Sequence, residues 1–146
     1  MVFFTNYESK KGKQIYQNKN VCATFYWPVL QRQVRIEGIA KKISSGDSDQ
    51  YFNSRPLKSQ ISGFLSKQSQ KLESKQFLES EIEELYDEVN SQEDKYIARP
   101  EYWGGYVIIP QVVNFWQGSH YRTRCYFDTF RYKYENGSWD LSRLYP

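Results

Sequence analysis

The chain of 146 residues is poor in the side chains that build disulfide networks and metal sites, with two cysteines and one histidine. Cys22 and Cys125 lie far apart without CxxC spacing, and both fall in strand-like runs. This pattern favours two buried thiols in a reducing, cytoplasmic compartment over a disulfide. Because His120 stands alone and no cysteine cluster accompanies it, we expect no metal site.

Long apolar runs are also missing. None approaches the roughly 20 residues that span a bilayer as a helix. The N-terminal MVFFTNYESKKGK turns polar after three apolar residues, which is typical of neither a secretory signal nor an Arg-rich transit peptide. With 39% hydrophobic residues, the composition predicts one soluble domain over residues 1–146 and no membrane partner.

Charge and aromatic content leave several ligand classes open. A net charge of +3 suits an anionic small ligand about as well as a nucleic acid. Aromatic residues reach 18% of the chain. They favour the pleated surfaces of a sheet or barrel, but they could also provide a stacking surface for a flavin or for bases.

Hydrophobic periodicity predicts a β-rich chain with helices grouped in the middle. The predicted strands are 2–6, 21–27 (a buried-looking run), 33–43, 103–118, 122–135 and 138–145. The predicted helices are 8–18, a short one within 44–54, another starting at Pro56, and 73–92 with an apolar face of Phe77, Ile82, Leu85, Tyr86 and Val89. Asn136-Gly137 between two alternating runs predicts a tight hairpin. The fold class is therefore α+β, mainly antiparallel β, with inserted helices.

Acidic residues are absent from the segment 51–69, YFNSRPLKSQISGFLSKQS. Within it, Tyr51, Arg55 and Ser59 follow one another at four-residue steps, and Pro56 predicts that one helix ends near Ser54 and another starts at once. A guanidinium and two hydroxyls meeting near a helix N-terminus would suit a phosphate monoester. A surface arginine, a packed tyrosine and a capping serine explain the same spacing.

Several longer strings carry a resemblance over essentially the whole chain. FFTNYESKKGK, FYWPVLQRQVRIEG, YFNSRPLKSQI, SKQS, WGGYVIIPQVVNFWQG and the closing W…RLYP resemble, in order and spacing, the pyridoxamine 5'-phosphate oxidase family. The resemblance implies an FMN-binding split β-barrel that forms a homodimer with a flavin at each end of the interface. It also implies oxidation of pyridoxine or pyridoxamine 5'-phosphate to pyridoxal 5'-phosphate, in which a hydride passes to the flavin and molecular oxygen reoxidises it.

The resemblance assigns roles residue by residue. Tyr51, Arg55 and Ser59 are similar to the family's set that binds the substrate phosphate. The residues that it implies for FMN are Phe4, Thr5, Lys10, Lys11, Gln33, Gln68, Ser69 and Trp116, with Gln68 and Ser69 reaching the flavin from the other subunit. Lys10 stands where many relatives have arginine. Lysine keeps the positive charge but lacks the planar guanidinium that can donate two parallel hydrogen bonds.

Two departures from the family pattern bear on activity. After WQG the family has an Arg-Leu-His-Asp-Arg run, whereas this chain has Arg122-Thr123-Arg124-Cys125-Tyr126. Arg122 is retained for substrate positioning, Arg124 takes the place of the histidine beside the substrate, and Tyr126 replaces an arginine that contacts flavin. The family's N-terminal Arg…Lys portion has no counterpart before FFTNY, so we expect an N-terminally truncated chain. The alternatives are a non-catalytic relative that binds FMN or pyridoxal 5'-phosphate and, remotely, a nucleic-acid-binding β-barrel.

Overall fold

The structure is a computed structural model that describes residues 1–118 and 128–145. The chain divides into two compact units: unit 1 is Met1–Gln17 with Lys42–Val107, and unit 2 is Asn18–Lys41 with Ile108–Pro146. The elements in chain order are β1 (Val2–Asn6), α1 (Lys10–Gln17), β2 (Asn20–Trp27), β3 (Arg32–Lys42), α2 (Ser45–Asn53), α3 (Leu57–Leu65), α4 (Lys75–Ser91), β4 (Trp103–Gln117), β5 (Asp128–Glu135) and β6 (Ser138–Arg143). This set of elements matches the predicted α+β pattern closely, and each boundary that can be compared agrees within one or two residues; the first part of the predicted strand 122–135, residues 122–127, lies outside the described residues.

Unit 1 contains the helices and one short antiparallel pair, β1 with residues 103–107 of β4. Helix α1 contains Gly12. A larger residue does not fit at this position, because its Cβ would lie 2.1 Å from the carbonyl oxygen of Tyr7. The Gly12 amide donates to the Ser9 hydroxyl (3.1 Å), which satisfies a donor in the first turn of the helix.

Side-chain caps explain where two of the other helices begin. The Ser44 hydroxyl accepts from the Asp47 amide ahead of α2, and the Ser74 hydroxyl accepts from the Phe77 amide ahead of α4. Pro56 occupies the N-cap position of α3 and makes no side-chain cap. The predicted break between two successive helices around Pro56 is confirmed.

The core of unit 1 forms where these helices cover the start of β4. Its buried members are Phe52, Ile61, Ile97 and Trp103, and α4 packs Ile82, Leu85 and Tyr86 against them. Val89 of the same helix is also buried, as its apolar spacing predicted. Phe77 is a correction to that predicted face: it lies in the first turn of α4, beyond the residues that meet the core, and 51% of it is exposed.

Unit 2 is a sheet in the order β2-β3-β4-β5-β6, with antiparallel pairing in the hairpins β2-β3 and β5-β6 and between β4 and β5. The β5-β6 connection is Asn136-Gly137, with φ of 51° and 82°. Positive φ at both turn residues is the geometry that asparagine and glycine accept most readily, so the predicted hairpin is confirmed. Pro110, which cannot donate to a ladder, lies between the stretch of β4 that pairs with β1 and the stretch that pairs with β5.

Two predictions about burial in unit 2 were wrong. Strand β2 reads as buried, yet Phe25, Tyr26 and Trp27 are 41 to 56% exposed. Cys22 is an exposed free thiol that accepts from the Arg35 Nε (3.1 Å), and Cys125 lies outside the described residues. The physical reason is that burial depends on which element packs over a strand, and β2 is the end strand of this sheet.

Helices long and apolar enough to cross a bilayer are absent from the described residues, 1–118 and 128–145.

Candidate functional site

A polar pocket of about 530 Å³ opens in unit 1 beside β1, the α2–α3 junction and the start of β4. Its lining includes five residues that the sequence singled out: Phe4, Thr5, Tyr51, Arg55 and Gln68. The volume falls in the range of small-molecule sites. No acidic residue occurs among the described residues that line it. The structure therefore brings two of the predicted phosphate-binding residues and three of the predicted cofactor-binding residues to one cavity.

Three aromatic rings form the apolar wall of this pocket. The rings of Phe4 and Tyr51 stack with centroids 3.7 Å apart and planes 15° apart. Trp103 lies parallel to both, 5.5 Å from Phe4 and 6.2 Å from Tyr51. The stack fixes the orientation of the Tyr51 ring, and 44% of the residue remains exposed.

Arg55 lies at the α2–α3 junction against this wall. Its guanidinium carbon is 4.9 Å from the centroid of the Trp103 ring, a cation–π distance. Its backbone is held on both sides, since the Arg55 amide donates to Phe52 O (3.2 Å) and Arg55 O accepts from Gln60 Nε2 (2.8 Å). In the described part of the chain, Arg55 has no carboxylate partner, and its buried Nη1 has no hydrogen-bond acceptor. A partly buried cation without a counter-ion is unfavourable unless a ligand supplies the negative charge.

Gln68 connects the loop after α3 to β1. Its Oε1 accepts from the Thr5 hydroxyl (2.9 Å) and from the Asn6 amide (3.0 Å). The Asn6 side chain in turn donates to Ser66 O (3.3 Å). Because both bonds go to the carbonyl oxygen, they orient the Gln68 amide so that its NH₂ group remains a donor for another partner. Thr5 and Gln68 thus meet within one chain, and a contribution of Gln68 and Ser69 to a second subunit's flavin stays a prediction.

The basic residues of α1 lie beside a second, smaller pocket of about 350 Å³. Lys10 lines it together with Gln68 and Ser69, and Ser69 adopts a positive φ of 72°. Lys11 is exposed and places its Nζ 5.6 Å from the centroid of the Phe3 ring. Gln68 borders both pockets, so the structure groups the predicted FMN residues of unit 1 along one continuous stretch of surface.

The remaining predicted site residues lie elsewhere in the chain. Ser59 is half-buried in the first turn of α3, where its amide donates to Pro56 O (2.8 Å), and it is not among the described residues that line the larger pocket. Gln33 and Trp116 belong to unit 2, on β3 opposite Tyr26 and on β4 opposite Thr129. The roles proposed for Arg122 and Arg124 concern residues outside the described ranges.

Sequence reasoning missed Trp103 and Gly63, which both contact Arg55 in the structure. Trp103 looks like the first residue of a strand, and Gly63 looks like a weak point in a helix. Helical periodicity gives no signal for this pair, because Gly63 lies in α3 and Arg55 lies in the junction before it.

Tyr7 follows β1 and has a shifted pKa. Burial raises the pKa of its phenol above the usual value, while a hydrogen bond with Ser48 and the charge of Arg99 lower it in part. The Tyr7 hydroxyl donates to Gly105 O (3.3 Å), and the Lys42 ammonium lies 3.8 Å from the ring centroid. Tyr7 therefore helps to fix β1 against β4 and is not a pocket-lining group.

Comparison with known proteins places this arrangement in a fold class. The structure superimposes on PhzG from Burkholderia lata 383, solved with tetrahydrophenazine-1-carboxylic acid, with a TM-score of 0.87 at 23% identity over 99% of this chain and 68% of that one. It also superimposes on a pyridoxamine 5'-phosphate oxidase-related, FMN-binding protein from Nostoc punctiforme, with a TM-score of 0.73 at 18% identity over 99% of this chain and 72% of that one. The chain thus has the predicted fold class, a mainly antiparallel split barrel with inserted helices.

Sequence comparison narrows the class further. Residues 1–88 match the family described as pyridoxamine 5'-phosphate oxidase, and residues 103–146 match the pyridoxine 5'-phosphate oxidase C-terminal dimerisation region. Proteins named pyridoxine/pyridoxamine 5'-phosphate oxidase are 45% identical in Legionella pneumophila and 41% identical in Nostoc punctiforme, each over 145 residues. These matches cover 99% of this chain and 65% of each relative, so the chain spans about two thirds of their length. The chain belongs to the pyridoxamine 5'-phosphate oxidase family.

Proposed function

We propose that this chain is an FMN-dependent oxidoreductase that converts pyridoxamine 5'-phosphate or pyridoxine 5'-phosphate to pyridoxal 5'-phosphate with O₂ as acceptor. The observation that carries the proposal is Arg55, a partly buried cation without a carboxylate partner in the described chain, at a pocket with no acidic lining residue. A phosphate monoester supplies the missing negative charge and accepts from guanidinium and hydroxyl donors. The names of the relatives support this substrate class.

The substrate's phosphate would lie against Arg55, with the Tyr51 hydroxyl as a further donor. A planar substrate ring would then meet the aromatic wall of Phe4, Tyr51 and Trp103. The wall gives a flat apolar surface, and Arg55 gives the charge, so one pocket recognises both ends of an aromatic phosphate ester. Arg122 and Arg124 remain proposed substrate contacts.

The residues present along β1 and the loop after α3 fit FMN. Thr5 is buried, and with Asn6 it fixes the carbonyl oxygen of Gln68, which leaves the amide NH₂ of Gln68 to donate to a flavin acceptor. Lys10 and Lys11 are exposed cations on the adjoining helix that would meet an anionic phosphate. FMN, when bound, supplies the two-electron acceptor for the oxidation. Gln33, Ser69 and Trp116 remain proposed contacts to this cofactor.

An apolar face of unit 2 supports the proposal of a homodimer. Val113, Phe115, Phe130, Tyr132 and Trp139 line a shallow groove of about 570 Å³, with Phe115 43% and Trp139 44% exposed. Exposed aromatic surface of this kind marks association sites. All five residues fall within the segment that matches a family region named for dimerisation.

A non-catalytic protein that binds FMN or pyridoxal 5'-phosphate is the second candidate. The observation that favours it is the sequence Arg122-Thr123-Arg124-Cys125-Tyr126, in which Arg124 and Tyr126 replace the histidine and arginine of the family pattern. Arginine donates only and stays charged, whereas a neutral histidine can also accept a hydrogen bond. Peroxide release with pyridoxamine 5'-phosphate separates the enzyme from the inert binder.

The experiment that tests the proposed substrate is Arg55→Ala. We expect affinity for pyridoxamine 5'-phosphate to fall about tenfold or more, while affinity for pyridoxamine and FMN content stay unchanged, because a charge-assisted contact to phosphate is lost. Calorimetric titration measures the two affinities, and absorbance of the purified protein measures FMN. Lys58→Ala is the matched control, since Lys58 is a nearby exposed cation paired with Glu83 (2.7 Å) and does not line the pocket. Equal losses for pyridoxamine and its phosphate would contradict a phosphate-binding Arg55.

A further inference from the structure

The guanidinium of Arg55 is held on one side by an indole. Trp103 is buried, with 8% of its surface exposed, and its ring lies 4.9 Å from the guanidinium carbon. The same ring is parallel to Tyr51 within 3° and meets Phe52 edge-on at 5.2 Å. Trp103 therefore contacts the Arg55 guanidinium and packs against Phe52 of the core.

A glycine in α3 holds a second side of the guanidinium. A Cβ built on Gly63 would lie 3.0 Å from Arg55 Nη1 and 3.4 Å from Trp103 Nε1. The first distance is tighter than ordinary van der Waals contact, so a methyl group at this position requires the guanidinium to shift by a few tenths of an ångström. Gly63 thus lets the guanidinium approach α3 more closely than a side chain at this position would.

This packing decides which edge of the guanidinium a ligand can use. Nη1 is sealed from solvent between Gly63 and Trp103 and has no acceptor among the described residues. The planar fork of arginine offers its other paired donors, Nε and Nη2, along a different edge. A phosphate that binds two donors at once is then directed to the Nε–Nη2 edge.

We propose that Trp103 and Gly63 are positioning residues that fix Arg55 with Nη1 turned inward and present the Nε–Nη2 edge to a phosphate monoester. The inference rests on the proposed function, because it concerns how the same pocket selects a phosphorylated substrate. In this role both residues act through Arg55. Their contribution is to hold the fork in one orientation, and a fixed orientation loses less entropy when the bidentate contact forms.

Gly63→Ala tests the proposal with a change that favours the helix. Alanine is a better helix former than glycine, so a fall in affinity cannot come from weakening α3. We expect the dissociation constant for pyridoxamine 5'-phosphate to rise about fivefold, because a displaced guanidinium loses alignment with the phosphate. The dissociation constant for pyridoxamine should not change. Gly46→Ala is the matched control: it is also a helical glycine, and its added Cβ would meet nothing nearer than Ser44 Oγ at 4.0 Å.

A double-mutant cycle shows whether Gly63 acts through Arg55. In an Arg55→Ala background, Gly63→Ala should have no further effect on phosphate affinity, since the group that it displaces is gone. An additive loss would mean that Gly63 shapes the pocket by another route and would overturn the proposal. If Arg55→Ala leaves the affinity for pyridoxamine 5'-phosphate unchanged, the proposed function fails. If Arg55→Ala lowers this affinity but Gly63→Ala does not, only the positioning role fails.

Trp103 is tested by comparing two replacements. Trp103→Phe keeps an aromatic face for the guanidinium, whereas Trp103→Leu keeps apolar bulk without one. We expect Trp103→Phe to retain most of the preference for the phosphorylated ligand over pyridoxamine and Trp103→Leu to lose about fivefold or more of it. Equal preferences in the two variants would overturn the role of the ring. Should Trp103→Leu fail to fold, the Gly63 cycle still decides the proposal.

Discussion

Arg99 is the side chain on which we base the most specific prediction about stability. Only 9% of the side chain is exposed, and its Nε donates to the Asp49 carboxylate (2.6 Å). Nη1 donates to the backbone oxygens of Trp103 and Pro100, and Nη2 donates to Ser45 Oγ (2.8 Å). One guanidinium therefore connects the start of α2 to the chain that enters β4.

The cost of Arg99→Met follows from what each partner loses. The Asp49 carboxylate is 49% exposed and can return to water, so the ion pair itself contributes at most about 1 kcal/mol. The Trp103 oxygen belongs to a buried residue, and a buried acceptor left without a donor costs about 1–3 kcal/mol. The sum with the weaker Pro100 and Ser45 contacts is about 3 kcal/mol. Methionine fills similar volume, so a cavity adds little.

Urea unfolding followed by far-UV circular dichroism measures this difference, because the described helices lie in unit 1 with Arg99. We expect a fall of roughly 1–3 M in the midpoint of Arg99→Met, since the urea slope of a small protein is about 1–3 kcal/mol/M. Asp49→Asn is the control and should cost less than about 1 kcal/mol. Equal destabilisation by the two variants would refute the reasoning, because it would assign the whole effect to the ion pair and none to the backbone oxygens.

Two further predictions concern pH and assembly. Burial raises the pKa of Tyr7, so the folded chain holds this proton more tightly than the unfolded chain; the resulting stability is complete below about pH 10 and is lost as pH rises further. Urea unfolding at several alkaline pH values should therefore show a smaller loss for Tyr7→Phe than for the wild type, and parallel curves would contradict the assignment. Phe115→Lys should shift sedimentation toward monomer by placing a charge on the apolar face of unit 2, whereas Tyr16→Lys, at an 86% exposed residue of α1, should not. Equal shifts would remove that face from the interface.

Much of the secondary structure could be predicted because its signals are local. The strand 2–6 and the hairpin at Asn136-Gly137 depend on neighbours along the chain, and the structure contains both. Ser74 marks the start of α4 through a hydrogen bond to an amide three residues on. A side chain that satisfies a nearby backbone group needs no information about the rest of the fold.

The candidate site could be predicted only in part. The family resemblance indicated five residues that line one pocket in the structure: Phe4, Thr5, Tyr51, Arg55 and Gln68. The hydrogen bond from Thr5 to Gln68 joins residues 63 apart, a distance along the chain over which no periodicity carries information. Spacing alone left a phosphate-binding arginine and a surface arginine as competing interpretations.

The sequence by itself determined the order and kind of the elements, the absence of acidic residues from the segment 51–69, and the family to which the chain belongs. Only the tertiary structure decided that Cys22 is exposed, that Trp103 lies beneath the Arg55 guanidinium, and that a Cβ at Gly63 would lie 3.0 Å from that guanidinium. The physical reason is that propensities and caps act over a few residues, whereas burial and contact depend on which distant surfaces meet. A glycine that allows a distant side chain to approach closely, because it lacks a Cβ, can be recognised only once that neighbour in space is known.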